Sequence, residues 1–411
     1  MNSVISATTI EARNCGWDVL GIMDGFEHLI EGQTGEVSPL STTDVSRIHV
    51  QGGSVLRTSR ANPTVRDPGA ADPDWRLHAC LESLRKLGID ALVTIGGDDT
   101  AFSASRLAEA AGGTLCVAHV PKTIDNDLPL PGGAPTFGFE TARTTGVQLV
   151  NNLMTDAITT QRWYLVVAMG RSAGHLALGI GKAAGATLTV IAEEFPRGEP
   201  VRLARLVDVL ETSMLKRISR GRPFGVAVLT EGIGLRLPQD ELREAMPEIE
   251  RDEHGNVRLA ELELDRLLAK LVKDRFKKRG QKITVEGKNI GYELRCAPPI
   301  PFDIEYTRDL GYGAVAYLQH ALEHGEPGGM ITIQDGRMVP LPFGSFNDPE
   351  TGRVRIRQVN VESSSYHVAR EYMIRLDRKD LEDSERLGPI AAAAGLTPEG
   401  FRDRYGYLTA D

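Results

Sequence analysis

Residues 91–127 contain two short apolar runs, each ending in a loop dense with charge, and this pairing limits the possible folds more than any other stretch. Ala91-Leu-Val-Thr-Ile95 has the length of a strand, and Gly96-Gly97-Asp98-Asp99-Thr100 can turn the backbone sharply into a helix. The alanine-rich segment from Thr100 to Gly113 is long enough to be a crossover helix, so Leu115-Cys-Val-Ala-His119 is expected to run parallel to the first strand. Pro121-Lys122-Thr123-Ile124-Asp125-Asn126-Asp127 follows. Both loops then lie at the carboxyl ends of neighbouring strands, the edge at which open α/β sheets bind ligands.

A helix N-terminus attracts anions. Carboxylates clustered there would repel a phosphate unless a divalent cation lay between them, and Mg2+ binds phosphates through one or two carboxylates plus water. A plainer reading leaves Asp98 and Asp99 as helix caps. The second loop adds to the case for chemistry. An extended backbone over 123–127 would turn Thr123, Asp125 and Asp127 to one side and Ile124 and Asn126 to the other. One hydroxyl and two carboxylates would then face a single site, as a hydroxyl nucleophile with a general base requires.

At these residues the chain resembles the phosphofructokinase family, and its pyrophosphate-dependent branch in particular. The likeness continues at Met169-Gly170-Arg171-Ser-Ala-Gly174, Thr230-Glu231-Gly232 and Gly291-Tyr292-Glu293-Leu294-Arg295. These motifs are specific jointly, in this order, and none suffices alone. The resemblance implies an α/β fold of two Rossmann-like lobes with mostly parallel sheets. It also implies transfer of a phosphoryl group from pyrophosphate to the 1-hydroxyl of fructose 6-phosphate, with Mg2+ as cofactor.

Roles carry over residue by residue. Asp98 matches the Mg2+ residue, Asp125 the proton acceptor for the sugar hydroxyl and Asp127 the carboxylate beside it. Gly97, Thr100 and Arg60 match donor-phosphate positions, although Arg60 also reads as a solvated surface arginine. Thr123 and Ile124 fall at the acceptor, where Thr123 would bond the sugar or the transferred phosphate. Met169, Gly170 and Arg171 would line the sugar phosphate, Glu231 would hold sugar hydroxyls, and Tyr292 and Arg295 would close over the 6-phosphate. Arg162 stands where the family presents an arginine across a subunit interface, which implies a homo-oligomer, dimer or tetramer.

Donor choice rests on Asp99 and Lys122, where the ATP-dependent branch has glycines. A carboxylate near the α-phosphate of ATP repels it by about 4 kcal/mol per unit-charge pair at 4 Å and an effective dielectric near 20. That is roughly a thousandfold penalty. Lys122 can stabilise the leaving phosphate of a donor that lacks adenosine contacts. A local Asp99–Lys122 ion pair is the opposing reading. The competing functions are an ATP-dependent 6-phosphofructokinase and a non-catalytic regulatory subunit of the same fold.

Composition bounds the rest. The 411 residues suffice for two or three domains, and a formal net charge of -9 argues against nucleic acid as a partner. Four cysteines without paired metal spacing read as reduced thiols of a cytoplasmic protein, and no apolar run reaches membrane-spanning length. Domains are expected at 1–140 (donor and catalytic loops), 141–295 (sugar-phosphate lobe with an insertion at 233–280), 296–348 (return to the first lobe) and 349–411 (helical extension).

Further elements follow from pattern: a helix from Met1 to Ala12, strands at Trp17–Ile22 and Lys282–Val285, a hairpin signal at Asp252–Asn256, a helix from Leu259 to Arg279, and turns at Gly329 and Gly336. Lys277, Lys278 and Arg279 read as a favourable helix C-terminus. The family usually has glycine where Arg57 stands, so a different loop backbone is expected. Met1-Asn2 matches the end of the family's first glycine-rich loop, so the first strand and that loop are expected upstream of Met1 or absent from a shortened form.

Overall fold

The computed structural model describes residues 1–247, 262–348, 350 and 354–409. The hairpin expected at 252–256 and the first residues of the helix expected from Leu259 lie outside these. Ten strands are described: β1 (Leu20–Ile22), β2 (Val37–Pro39), β3 (Ala91–Gly96), β4 (Cys116–Pro121), β5 (Trp163–Ala168), β6 (Leu188–Val190), β7 (Gly225–Thr230), β8 (Val285–Ile290), β9 (Gly328–Gln334) and β10 (Arg337–Pro342). They sit in two compact units, residues 1–142 with 295–357, and residues 143–294 with 358–411.

In the first unit the sheet order is β10-β9-β4-β3. β3 and β4 are parallel, with Ala91 opposite Cys116 and Gly96 opposite Pro121, and β9 continues the parallel run. β10 folds back on β9 through a turn at Asp335 and Gly336. Every residue of β4 is buried, as a central strand covered on both faces must be. The helix Asp98–Ala110 is the crossover between β3 and β4, and it buries Ala101, Ala104, Leu107 and Ala108. The helices Asn2–Asn14 and Pro301–His324 pack on each other, with Gly311 so close to Ala7 that a Cβ there would lie 2.7 Å from the Ala7 methyl.

The second unit holds a fully parallel sheet, β6-β7-β5-β8, in which β5 and β7 are wholly buried. Its core joins the sheet to the helices Leu203–Ile218 and Leu264–Lys278 and to the C-terminal helices through Leu387, Phe401 and Tyr405. The last helix, Pro398–Tyr405, has proline as its first residue, and the Thr397 hydroxyl caps it by accepting from the Gly400 amide.

Three local expectations change. The Trp17 amide is used to close the first helix, bonding Ala12 O at 2.9 Å, so strand structure starts only at Leu20 and forms a separate two-stranded ribbon with β2. The strand expected at Lys282–Val285 runs instead from Val285 to Ile290, on the sheet edge, where polar residues are tolerated and hide it from a hydrophobicity reading. Gly329 is a strand residue rather than a turn. With Gly328 at φ +145, it lets β9 approach β4 so closely that a Cβ on Gly328 would lie 2.2 Å from Val117 O.

Candidate active site

The two loops of the first unit meet through backbone before any side chain is considered. The Lys122 amide donates to Gly96 O at 2.7 Å, and Gly97 packs against Lys122 O. Asp98 and Asp99 occupy the first turn of their helix, Asp98 half-buried and Asp99 exposed, and Thr100 lies beneath Gly96.

The second loop is a turn, which corrects the expectation of an extended chain. The Thr123 hydroxyl accepts from the Asp125 amide at 3.0 Å, and Asn126 adopts a left-handed backbone at φ +56. Ile124 turns inward and is buried. Asp127 is only 7% exposed. Burial and then the nearby charge of Asp98 push its carboxyl above the ordinary range, while Thr123 and Arg357 pull it back. Burial and then the Arg295 guanidinium push the Lys122 ammonium down, against the attraction of Asp125. The geometry thus gathers Gly97, Asp98, Thr100, Lys122, Thr123, Asp125, Asp127 and Arg295 around two adjoining strand ends.

Arg60 is exposed on a different loop. There Arg57 holds φ +56, the conformation that glycine favours, and pairs with Asp24 at 2.6 Å. The loop thus takes up a left-handed turn without glycine.

In the second unit Met169, Gly170 and Arg171 follow β5 directly. Gly170, at φ +144, accepts at its carbonyl from the Thr230 hydroxyl at 3.0 Å and from the Gly232 amide at 3.2 Å, and its amide donates to the Glu231 carboxylate at 3.3 Å. A Cβ on Gly232 would fall 2.6 Å from Arg171 O, so this approach requires glycine. Burial raises the Glu231 carboxyl, opposed by the Gly170 amide and Arg171. Arg171 and Tyr292 are exposed, Tyr292 at the start of the short helix Tyr292–Arg295. Arg162 lies 3.8 Å from Asp156, which also accepts from the Tyr164 hydroxyl.

Sequence reasoning missed three supporting residues. Asp303, 2% exposed, accepts from the amides of Gly138 and Thr141, both at 2.7 Å, and fixes the start of the helix Phe139–Thr160. Glu193 accepts from the amides of Gly174 at 2.8 Å and Val359 at 3.0 Å. Arg357 donates to Asn126 O, Asn126 Oδ1 and Ala134 O. None lies in a motif, and only a helix-start signal before Phe139 hints that a buried acceptor is needed.

The chain is similar to known proteins over most or all of its length. The family profile for phosphofructokinase matches residues 1–318. Along its full length the chain is 54% identical to the pyrophosphate--fructose 6-phosphate 1-phosphotransferase of Thermotoga maritima, of which it covers 96%. It is 49% identical to the protein of that name from Naegleria fowleri, over 99% of this chain and 92% of the relative. In fold it matches the crystal structure of a pyrophosphate-dependent phosphofructokinase from Nitrosospira multiformis, with a TM-score of 0.63 at 15% identity over 90% of this chain and 86% of that one. The chain belongs to the phosphofructokinase family.

Proposed function

We infer that this chain is a pyrophosphate-dependent 6-phosphofructokinase. It moves a phosphoryl group between pyrophosphate and the 1-hydroxyl of fructose 6-phosphate, forming fructose 1,6-bisphosphate and phosphate in a reversible glycolytic step. The observation that carries the donor assignment is the pair Asp99 and Lys122 on the two adjoining loops, in a chain about half identical to two proteins named for this reaction.

In such a transfer the protein mainly aligns the partners and neutralises charge. Asp125 accepts the proton of the attacking hydroxyl, and Asp127 sits beside it. Gly97, Thr100 and Arg60 bind the donor phosphates. Lys122 stabilises the leaving phosphate, and a low-dielectric setting strengthens that contact. Met169, Gly170 and Arg171 hold the sugar phosphate, Glu231 the sugar hydroxyls, Thr123 and Ile124 the acceptor end, and Tyr292 and Arg295 the 6-phosphate.

Asp98 with Asp127 nearby suits a cation that takes its remaining ligands from phosphate and water. Mg2+, held by Asp98, would supply neutralisation of the phosphate oxygens. We also take the enzyme to be a cytoplasmic homo-oligomer, dimer or tetramer, in which Arg162 reaches the 6-phosphate of a neighbouring subunit. Among the described residues no helix is long and apolar enough to cross a membrane.

The Asp99→Gly/Lys122→Gly double variant tests the donor assignment. It should lose pyrophosphate turnover and gain relative use of ATP by about three orders of magnitude, given the charge repulsion removed. An unchanged donor ratio would contradict the assignment.

A further inference from the structure

The loop that carries Asp125 and Asp127 is held by a residue that no motif includes. Arg357 Nε donates to Asn126 O at 3.1 Å, Nη1 donates to Ala134 O at 3.0 Å, and Nη2 donates to the Asn126 carboxamide oxygen. The Arg357 amide donates to Asp127 O at 2.6 Å. The same Asn126 carboxamide accepts from the Thr136 amide at 3.0 Å, and the Thr136 hydroxyl donates to Thr123 O at 2.8 Å. One guanidinium thus closes a ring of bonds running from Thr123 through Asn126 to Ala134 and Thr136.

We propose that Arg357 is a positioning residue for phosphoryl transfer, clamping Asn126 in its left-handed conformation so that Asp125 and Asp127 present their carboxylates in fixed directions. The argument rests on shape. Asn126 holds φ +56, a conformation that asparagine adopts more readily than other residues with a side chain but still needs partners to fix in one orientation. Three acceptors at different angles around the loop match a planar fork of donors, which lysine cannot reproduce from its single nitrogen. Burial works against the Arg357 charge, and the nearby Asp127 carboxylate opposes that effect. The reading deepens the proposed activity and rests on it for its kinetic arm only.

The test uses the full chain with Arg357→Lys and Arg357→Met, assayed with pyrophosphate and fructose 6-phosphate, alongside amide hydrogen exchange of all three proteins. A catalytic group displaced by about 1 Å can cost on the order of 100-fold in rate. The Met variant should therefore lose about that factor in kcat with Michaelis constants near wild type, and the Lys variant should recover part of the loss. Exchange at 123–136 should speed up in the Met variant while β5 and β7 keep their protection. A Met variant with wild-type kcat, or with wild-type exchange at 123–136, overturns the proposal. If the Met variant fails to fold, a wild-type kcat in the Lys variant overturns it instead. Should the wild type show no turnover with pyrophosphate, the activity assignment fails, and the exchange comparison still decides whether the clamp exists.

Discussion

Glu231 shows how a single carboxylate can be tuned by its site. Burial raises its affinity for a proton, and the Gly170 amide and Arg171 only partly offset that. A carboxyl whose folded value lies above its unfolded one adds stability that is fully present below the unfolded value, near 4.5, and is lost as pH rises through the folded value. Glu231→Gln keeps an acceptor for the Gly170 amide and removes the ionisation. Urea midpoints should therefore coincide for the two proteins below about pH 4.5 and favour the Gln variant at neutral pH; a Gln variant less stable at pH 7 would contradict this. At this scale the chain marks out Asp98, Gly170 and Glu231 by the glycine-bearing turns around them, and Lys122 and Asp125 by charge concentrated at the end of an apolar run. It does not mark out Arg357, Asp303 or Glu193. Each acts on a partner distant in sequence through bonds to backbone, which any surface-like Arg, Asp or Glu could equally make.

Among the elements, the strands that frame the loops were legible because central parallel strands are buried throughout and almost wholly apolar, as β4 (with His119 its one polar side chain) and β5 are. β8 was not, since its exposed positions carry Glu286, Lys288 and Asn289, and Gly287 is needed where Asp265 approaches. The C-terminal helices pack within the second unit through buried charge as well as apolar contact. Lys216 donates to Asp380, which is fully buried, and to Arg375 O at 2.7 Å. Glu211, also fully buried, pairs with Arg279 at 2.6 Å and accepts from the Tyr405 hydroxyl at 2.9 Å. Arg279 had read as part of a helix-end cluster, and its ion pair spans helices that no local pattern could link. Removing one partner of such a pair strands a buried charge. Lys216→Met should cost about 3–5 kcal/mol in urea unfolding. A loss under about 1 kcal/mol, the value of an exposed pair, would show that Asp380 is not held by this contact.

For the whole molecule, the fold class and the family were both within reach of the sequence, because the motifs occur in the family's order over most of the chain. The path of the chain was harder to foresee. It leaves the first unit within the helix Phe139–Thr160, returns at Arg295, and leaves again after Arg357. Arg357 therefore reaches the 123–127 loop from more than two hundred positions away. The central claim is that this molecule draws its phosphoryl group from pyrophosphate. The most direct measurement is the initial rate of fructose 6-phosphate phosphorylation by the full chain with Mg2+, run in parallel with pyrophosphate and with ATP. The account predicts turnover with pyrophosphate and a rate with ATP lower by roughly a thousandfold, the factor that about 4 kcal/mol of repulsion from Asp99 would impose. Turnover with ATP and none with pyrophosphate would contradict it.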